Sequence, residues 1–178
     1  MTEEIIEVEK QSNFKFAFRW GSIIGFITLV YYLIGFYTGF EKQLYFNDIY
    51  FFMDIALIAL MITEYRKAMQ LTELKFTRIL LIGMYSALVV AGFYALYFFL
   101  RMSRLEPLFF QAYLGDVIKM IKEQFNIDYS HIFKPQMLGM FKGVFLFSIY
   151  VSSFISSMIY TLLLAAFFSL NRRVYKRK

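Results

Sequence analysis

Three long apolar runs constrain this chain more than any other feature of its sequence. Residues 79–100 and 144–170 contain no charged side chain, and residues 16–40 contain only Arg19. A helix needs about 20 apolar residues to cross the roughly 30 Å hydrocarbon core of a bilayer, so each run is long enough to span it. Apolar residues make up 60% of the chain, more than a soluble domain of this length can bury. The runs therefore predict an integral membrane protein.

A fourth, weaker run predicts a further span. It covers residues 49–63 and includes Asp54, and it reaches spanning length when it is extended back to Tyr45. The basic segments on its two sides also make sense only if the chain crosses the membrane there. We therefore predict an all-α membrane protein, a four-transmembrane-helix bundle that forms a single membrane domain over 1–178, with helices at about 16–40, 45–65, 79–100 and 140–170.

Basic residues predict the orientation of these spans. Four spans place the N-terminal segment, the loop between the second and third spans and the C-terminal tail on one side of the membrane. Together these segments contain twelve of the nineteen Lys and Arg residues, five of them in the tail 171–178. Cytoplasmic segments carry an excess of Lys and Arg, so we expect the tails 1–15 and 171–178 to lie in the cytoplasm. The length of the first run and the four Glu residues before it argue against a cleavable signal peptide, so we expect that span to be retained.

The outer segment 101–139 contains a pattern typical of one more helix. Its apolar side chains recur at helical spacing and polar side chains take the other side, with Phe110, Tyr113, Val117, Ile121 and Phe125 as the apolar set. Pro107 suits the first turn of a helix, where its missing N–H costs nothing. We expect an amphipathic helix over Leu108–Phe125 that either lies on the outer membrane surface or caps the bundle.

Asp54 is the first candidate for a functional group inside the membrane. A carboxylate in a membrane helix is costly unless it is paired, protonated or wetted. Asp54 follows Asp48 by six residues, about 9 Å of helix rise, so we expect its side chain to reach outer-leaflet water in a structural role. Proton or cation coupling is the alternative. Lys142 either lifts its ammonium group to the interface or pairs with Asp54.

Small residues predict the faces on which the helices pack. The spacing of Gly21 with Gly25, and of Gly139 with Gly143, allows two helices to approach closely. Ser152 and Ser156 add small polar residues to the last span. We favour packing within the bundle over a dimer interface.

Four residues at the inner end of the second span are candidates for a cytoplasmic contact: Glu64, Tyr65, Arg66 and Lys67. They would bind a cytosolic partner or anionic lipid headgroups. Solvated loop charges are the simpler interpretation.

The composition excludes several chemistries. The chain has no Cys, which excludes disulfides, thiolate metal sites and cysteine nucleophiles, and its one histidine, His131, excludes a multi-histidine metal site. It contains no hydrolase nucleophile elbow, phosphate-binding glycine loop or metal-ligand cluster. We therefore expect no catalytic residue, no cofactor and no nucleic-acid partner.

The order of several short motifs resembles that of a known family. Trp20-Gly21 opens the first span, Tyr65-Arg66-Lys67 ends the second, Phe76 precedes the third, and Glu106-Pro107-Leu108-Phe109 follows it before a serine-containing last span. This order resembles the bacterial domain of unknown function four-one-nine-nine family over about residues 15–172. The resemblance implies an inner-membrane location and four spans. It implies no activity, substrate or catalytic residue.

Three functions are compatible with these features. The leading hypothesis is a scaffold or accessory subunit that contacts another membrane or cytosolic envelope protein in addition to the lipid bilayer. The alternative is a small oligomeric transporter or channel subunit that uses Asp54. The third is a lipid-acting membrane enzyme, for which the sequence offers no nucleophile.

Overall fold

The computed structural model describes the backbone of residues 3–69, 75–125 and 138–170, and the side chains of 13–69, 75–124 and 139–169. Within these ranges the chain forms five α-helices: α1 (Glu3–Thr38), α2 (Phe46–Ala68), α3 (Phe76–Leu100), α4 (Phe109–Phe125) and α5 (Leu138–Leu170). The helices α1, α2, α3 and α5 are each long and apolar enough to cross a membrane. The predicted fold, an all-α multi-pass membrane bundle, is confirmed.

The helix α1 differs most from its predicted bounds. It begins at Glu3, well before the predicted start at residue 16. Hydropathy marks only the apolar part of a helix, so the charged stretch before residue 16 gave no signal in the sequence.

A glycine makes the sharp turn between α1 and α2. Gly39 has a φ of 71°, a left-handed backbone conformation that residues other than glycine rarely adopt. Its N–H donates to the carbonyl of Phe36 at 3.2 Å, and a 3₁₀ turn over Phe40–Lys42 follows. The turn therefore brings α2 back beside α1 within a few residues. We call this end of the bundle the outer end, following the predicted orientation.

The helix α3 is central to the packing, because it lies along both α1 and α5. Glycines permit both approaches. A Cβ added to Gly21 of α1 would lie 2.9 Å from the carbonyl oxygen of Ser86, and a Cβ added to Gly83 of α3 would overlap the side chain of Thr161 on α5. The helix α2 packs against α1 and α5, and its larger side chains fill the interior, among them Ile58, Met61, Ile62 and Tyr65.

Candidate functional site

Asp54 points into the bundle. It lies eight residues after the first residue of α2, about 12 Å of helix rise. Its side chain is 1% exposed, and the Oδ1 atom has no hydrogen-bond partner among the described residues. The expectation that Asp54 reaches outer-leaflet water is therefore wrong for this structure. Asp54 lies on the face of α2 that packs into the bundle, the same face as the buried residues Ile58, Met61 and Tyr65.

A small cavity adjoins this carboxylate and offers room for about one water molecule. It lies between α2, α3 and α5, and its lining consists of Asp54, Ile58, Met61, Gly83, Ser86, Ala87, Val90, Ser157 and Thr161. None of these lining residues is basic. The Thr161 hydroxyl donates to the carbonyl oxygen of Ser157 at 2.9 Å, which leaves its own lone pairs to accept. Oxygen acceptors around a carboxylate suit a cation or a proton rather than an anion.

Tyrosines lie between Asp54 and the outer end. Tyr50 precedes Asp54 by one helical turn and, like Tyr160, is near enough to interact with its charge. The ring of Tyr50 is 5.1 Å from that of Tyr32 and 6.3 Å from that of Tyr94. Tyr32 is in turn 5.1 Å from the ring of Tyr97. Residues from α1, α2 and α3 thus form one aromatic layer above the carboxylate.

Arg101 organises the outer end. Its guanidinium binds Glu41 through two hydrogen bonds, Nη1 to Oε2 and Nη2 to Oε1, each 3.0 Å long. It also donates to Glu106 from Nε at 3.0 Å and from Nη2 at 2.9 Å, and it lies 4.2 Å from the centroid of the Phe109 ring. The Tyr97 hydroxyl donates to Glu41 at 3.1 Å. The network ties the α1–α2 turn to the π-helical turn over Arg101–Leu105 that follows α3.

Lys142 does not meet Asp54. Ser157 and Thr161 of α5 line the same cavity as the carboxylate, and Ser157 is about 22 Å of helix rise beyond Lys142. The lysine is half-buried near the outer end of α5. The pairing considered from the sequence therefore does not form in this structure.

Some of the predicted packing residues lie at a helix–helix contact, and others do not. Gly21 and Gly25 lie against α3, where an added Cβ would meet Ser86 and the Phe93 ring, respectively. In contrast, Gly139 and Gly143 have open space where a Cβ would be added, Ser152 is exposed and Ser156 is half-buried. The buried small residues of α5 are instead Ser157, Thr161 and Ala165, which recur every four residues. This spacing was not recognised in the sequence.

Tyr65, one of the four residues predicted to form a cytoplasmic contact, is buried inside the bundle. It is 1% exposed, donates to Oδ1 of Asn13 at 2.7 Å and contacts the Phe16 ring edge-on at 5.2 Å. Arg66 is exposed. The side chain of Lys67 is 74% exposed and binds Glu64 at 2.6 Å. The exposed part of this candidate contact is therefore charged.

The amphipathic helix α4 attaches to the bundle through its first two turns. Phe109, Phe110 and Tyr113 contact Phe145 of α5, with the closest pair of ring centroids, Tyr113 to Phe145, 4.9 Å apart. Phe110 is almost fully buried. His131 and the basic tail 171–178 lie outside the described residues.

The described ranges contain no group of three or more His, Cys, Asp or Glu residues placed to hold a metal ion. Searches of family models, curated proteins and solved structures find no match to this chain. The resemblance to the four-one-nine-nine family therefore stays a prediction. A functional proposal for this chain depends on the geometry of Asp54.

Proposed function

We propose that this protein binds a proton or a small monovalent cation at Asp54 and serves as a small oligomeric transporter or channel subunit. The observation that carries the proposal is a carboxylate that is 1% exposed in a membrane-spanning helix, with Oδ1 unpaired beside a water-sized cavity. A charge deep in a bilayer costs about 2.5–3.5 kcal/mol or more, so a bound proton or cation would offset that cost.

Further features support an oligomer of defined orientation. The open space beside Gly139 and Gly143 on α5 would let a second copy approach closely. The basic residues at the inner end of α2 and in the tail 171–178 favour termini on the cytoplasmic side of the membrane. The resemblance to the four-one-nine-nine family is the basis for proposing that this is a bacterial inner membrane.

The test is ion flux into proteoliposomes. The parent chain, Asp54→Asn and Asp48→Asn are reconstituted, and uptake of protons and of sodium is followed after a gradient is imposed. Asp48 is the matched control because it is an exposed carboxylate on the same helix. We expect flux with the parent and with Asp48→Asn, and flux at the level of empty liposomes with Asp54→Asn. Flux that survives Asp54→Asn, or a parent chain that carries none, would contradict the proposal.

A second candidate is the accessory subunit. The exposed charged group of Glu64, Arg66 and Lys67 favours it, since a cytosolic protein could bind there. Affinity capture in mild detergent distinguishes the two functions. An accessory subunit would bring down one defined partner and lose it when Lys67 is replaced by Glu, whereas a transporter would be recovered with copies of itself.

A further inference from the structure

Three buried residues with hydroxyl groups line the cavity beside Asp54. They are Ser86 of α3 and Ser157 and Thr161 of α5. The Oδ1 atom of Asp54, which belongs to α2, has no hydrogen-bond partner among the described residues. Residues that carry side-chain oxygens therefore come from three helices to line one void, which offers room for about one water molecule.

Packing alone does not explain these hydroxyls. A polar side chain buried in a membrane costs free energy unless it has a polar partner. The stripe of small residues on α5 continues from Ser157 and Thr161 to Ala165, which is buried but does not line the cavity. The hydroxyls of this stripe therefore occur where it lines the cavity of Asp54, and alanine serves where only small size is needed.

Close helix contacts hold two of these residues at the cavity. A Cβ at Gly83 would overlap the side chain of Thr161, and a Cβ at Gly21 would lie 2.9 Å from the carbonyl oxygen of Ser86. The Thr161 hydroxyl spends its hydrogen on the carbonyl oxygen of Ser157, 2.9 Å away, so its lone pairs can bind a cation. The glycines therefore fix oxygen groups in place before any ion arrives.

The charge and size of the cavity define the ion that it suits. Asp54 is the one charged residue of the lining, so a monovalent cation would bring the charge of the lining to zero. A divalent cation would leave a net positive charge buried in a low dielectric. A void with room for about one water admits an alkali cation only without its water shell. Sodium and potassium are both small enough, but the strong field of a carboxylate favours the smaller sodium ion.

We infer that Asp54, Ser86, Ser157 and Thr161 form a binding site for a dehydrated sodium ion, with the carboxylate as its charged ligand and the three hydroxyls as neutral ligands. This inference rests on the proposed function and narrows its substrate to sodium. A proton would need only the carboxylate. A sodium ion needs several oxygens, because they replace the water ligands that it loses on entering the bundle.

The experiment measures equilibrium binding of radioactive sodium to the purified protein in detergent at constant pH. Unlabelled sodium or potassium is added as competitor, and choline chloride keeps the ionic strength constant. The variants are Asp54→Asn, Ser86→Ala and Thr161→Val, which keeps the shape of the side chain without its hydroxyl. Ser152→Ala is the control, because Ser152 is an exposed serine on the same helix as Thr161. The fluorescence of Trp20 reports whether each variant is folded.

We expect saturable sodium binding in the parent and in Ser152→Ala, with sodium a much better competitor than potassium. Ser86→Ala and Thr161→Val should each weaken binding by about 10–100-fold, since each loses one polar contact to a charged group. Asp54→Asn should bind no sodium. A folded Ser86→Ala or Thr161→Val that binds sodium as tightly as the parent would overturn the four-ligand site.

The parent chain tests the inference without any substitution. Potassium that competes as well as sodium would overturn sodium as the ion. A parent that binds no sodium, yet carries a proton flux that Asp54→Asn abolishes, would overturn the sodium site and leave the proposed function standing. A parent that neither binds sodium nor carries any flux would overturn both.

Discussion

The contact between Gly83 and Thr161 gives the sharpest prediction about packing. A Cβ at residue 83 would overlap Cγ2 of Thr161 and lie 2.8 Å from its Oγ1, while Gly92 on the same helix has open space around it. Alanine at a helical glycine gains about 0.5–1 kcal/mol of backbone stability. Overpacking costs about 1–3 kcal/mol. We therefore expect Gly83→Ala to be less stable than Gly92→Ala by about 1–3 kcal/mol, since their difference isolates the clash.

Trp20 provides the assay because it is the only tryptophan and packs against the core. Its fluorescence is followed while SDS is titrated into mixed micelles, and the midpoints of the two alanine variants are compared. Replacing Thr161 by Ala in the Gly83→Ala background should recover most of the loss, because the overlapping methyl and the hydroxyl are then absent. Equal stability of Gly83→Ala and Gly92→Ala would refute the close approach of α3 and α5.

Three further outcomes are expected. Tyr65→Phe removes the hydrogen bond to buried Asn13 and should lower the free energy of unfolding by about 1–3 kcal/mol in the same titration; an unchanged midpoint would contradict the bond. Arg101→Lys keeps the charge but loses the fork that binds two carboxylates, so it should cost about 1–3 kcal/mol, and a lysine variant as stable as the parent would show that the network adds nothing. In intact cells an impermeant thiol reagent should label Lys119→Cys and spare Lys67→Cys, whereas the opposite pattern would reverse the orientation.

The spans could be predicted because hydropathy is a local property of the chain. The run at residues 79–100 corresponds to α3 over Phe76–Leu100, and the weak run around Asp54 corresponds to α2. The ends of helices were harder to locate. Polar turns such as those at the start of α1 extend a helix without an apolar signal, and the π-helical turn after α3 depends on contacts of Arg101 with distant residues.

The candidate site could be predicted only in part. Asp54 stands out by residue type, but its direction could not be read, because lipid-facing and buried faces of a membrane helix are both apolar and periodicity does not separate them. Tyr50, one helical turn away on the same face of α2, was the sequence feature that could have indicated the direction of Asp54. The pairing of Glu41 with Arg101 joins residues 60 positions apart, so it depends on how the helices assemble rather than on any local pattern.

The most direct test of the central claim is whether Asp54 holds a proton or cation inside the membrane. Membranes that contain the protein are treated with a lipophilic carbodiimide, and the adducts on Asp54 and Asp48 are mapped by mass spectrometry. We expect adduct on Asp54 and little on Asp48, because the reagent partitions into the bilayer and requires a protonated carboxyl group. Sodium at constant pH should reduce the Asp54 adduct only if a metal cation shares the site. An Asp54 that stays unlabelled across acidic and neutral pH, while the outer carboxylate Asp48 reacts, would contradict the account.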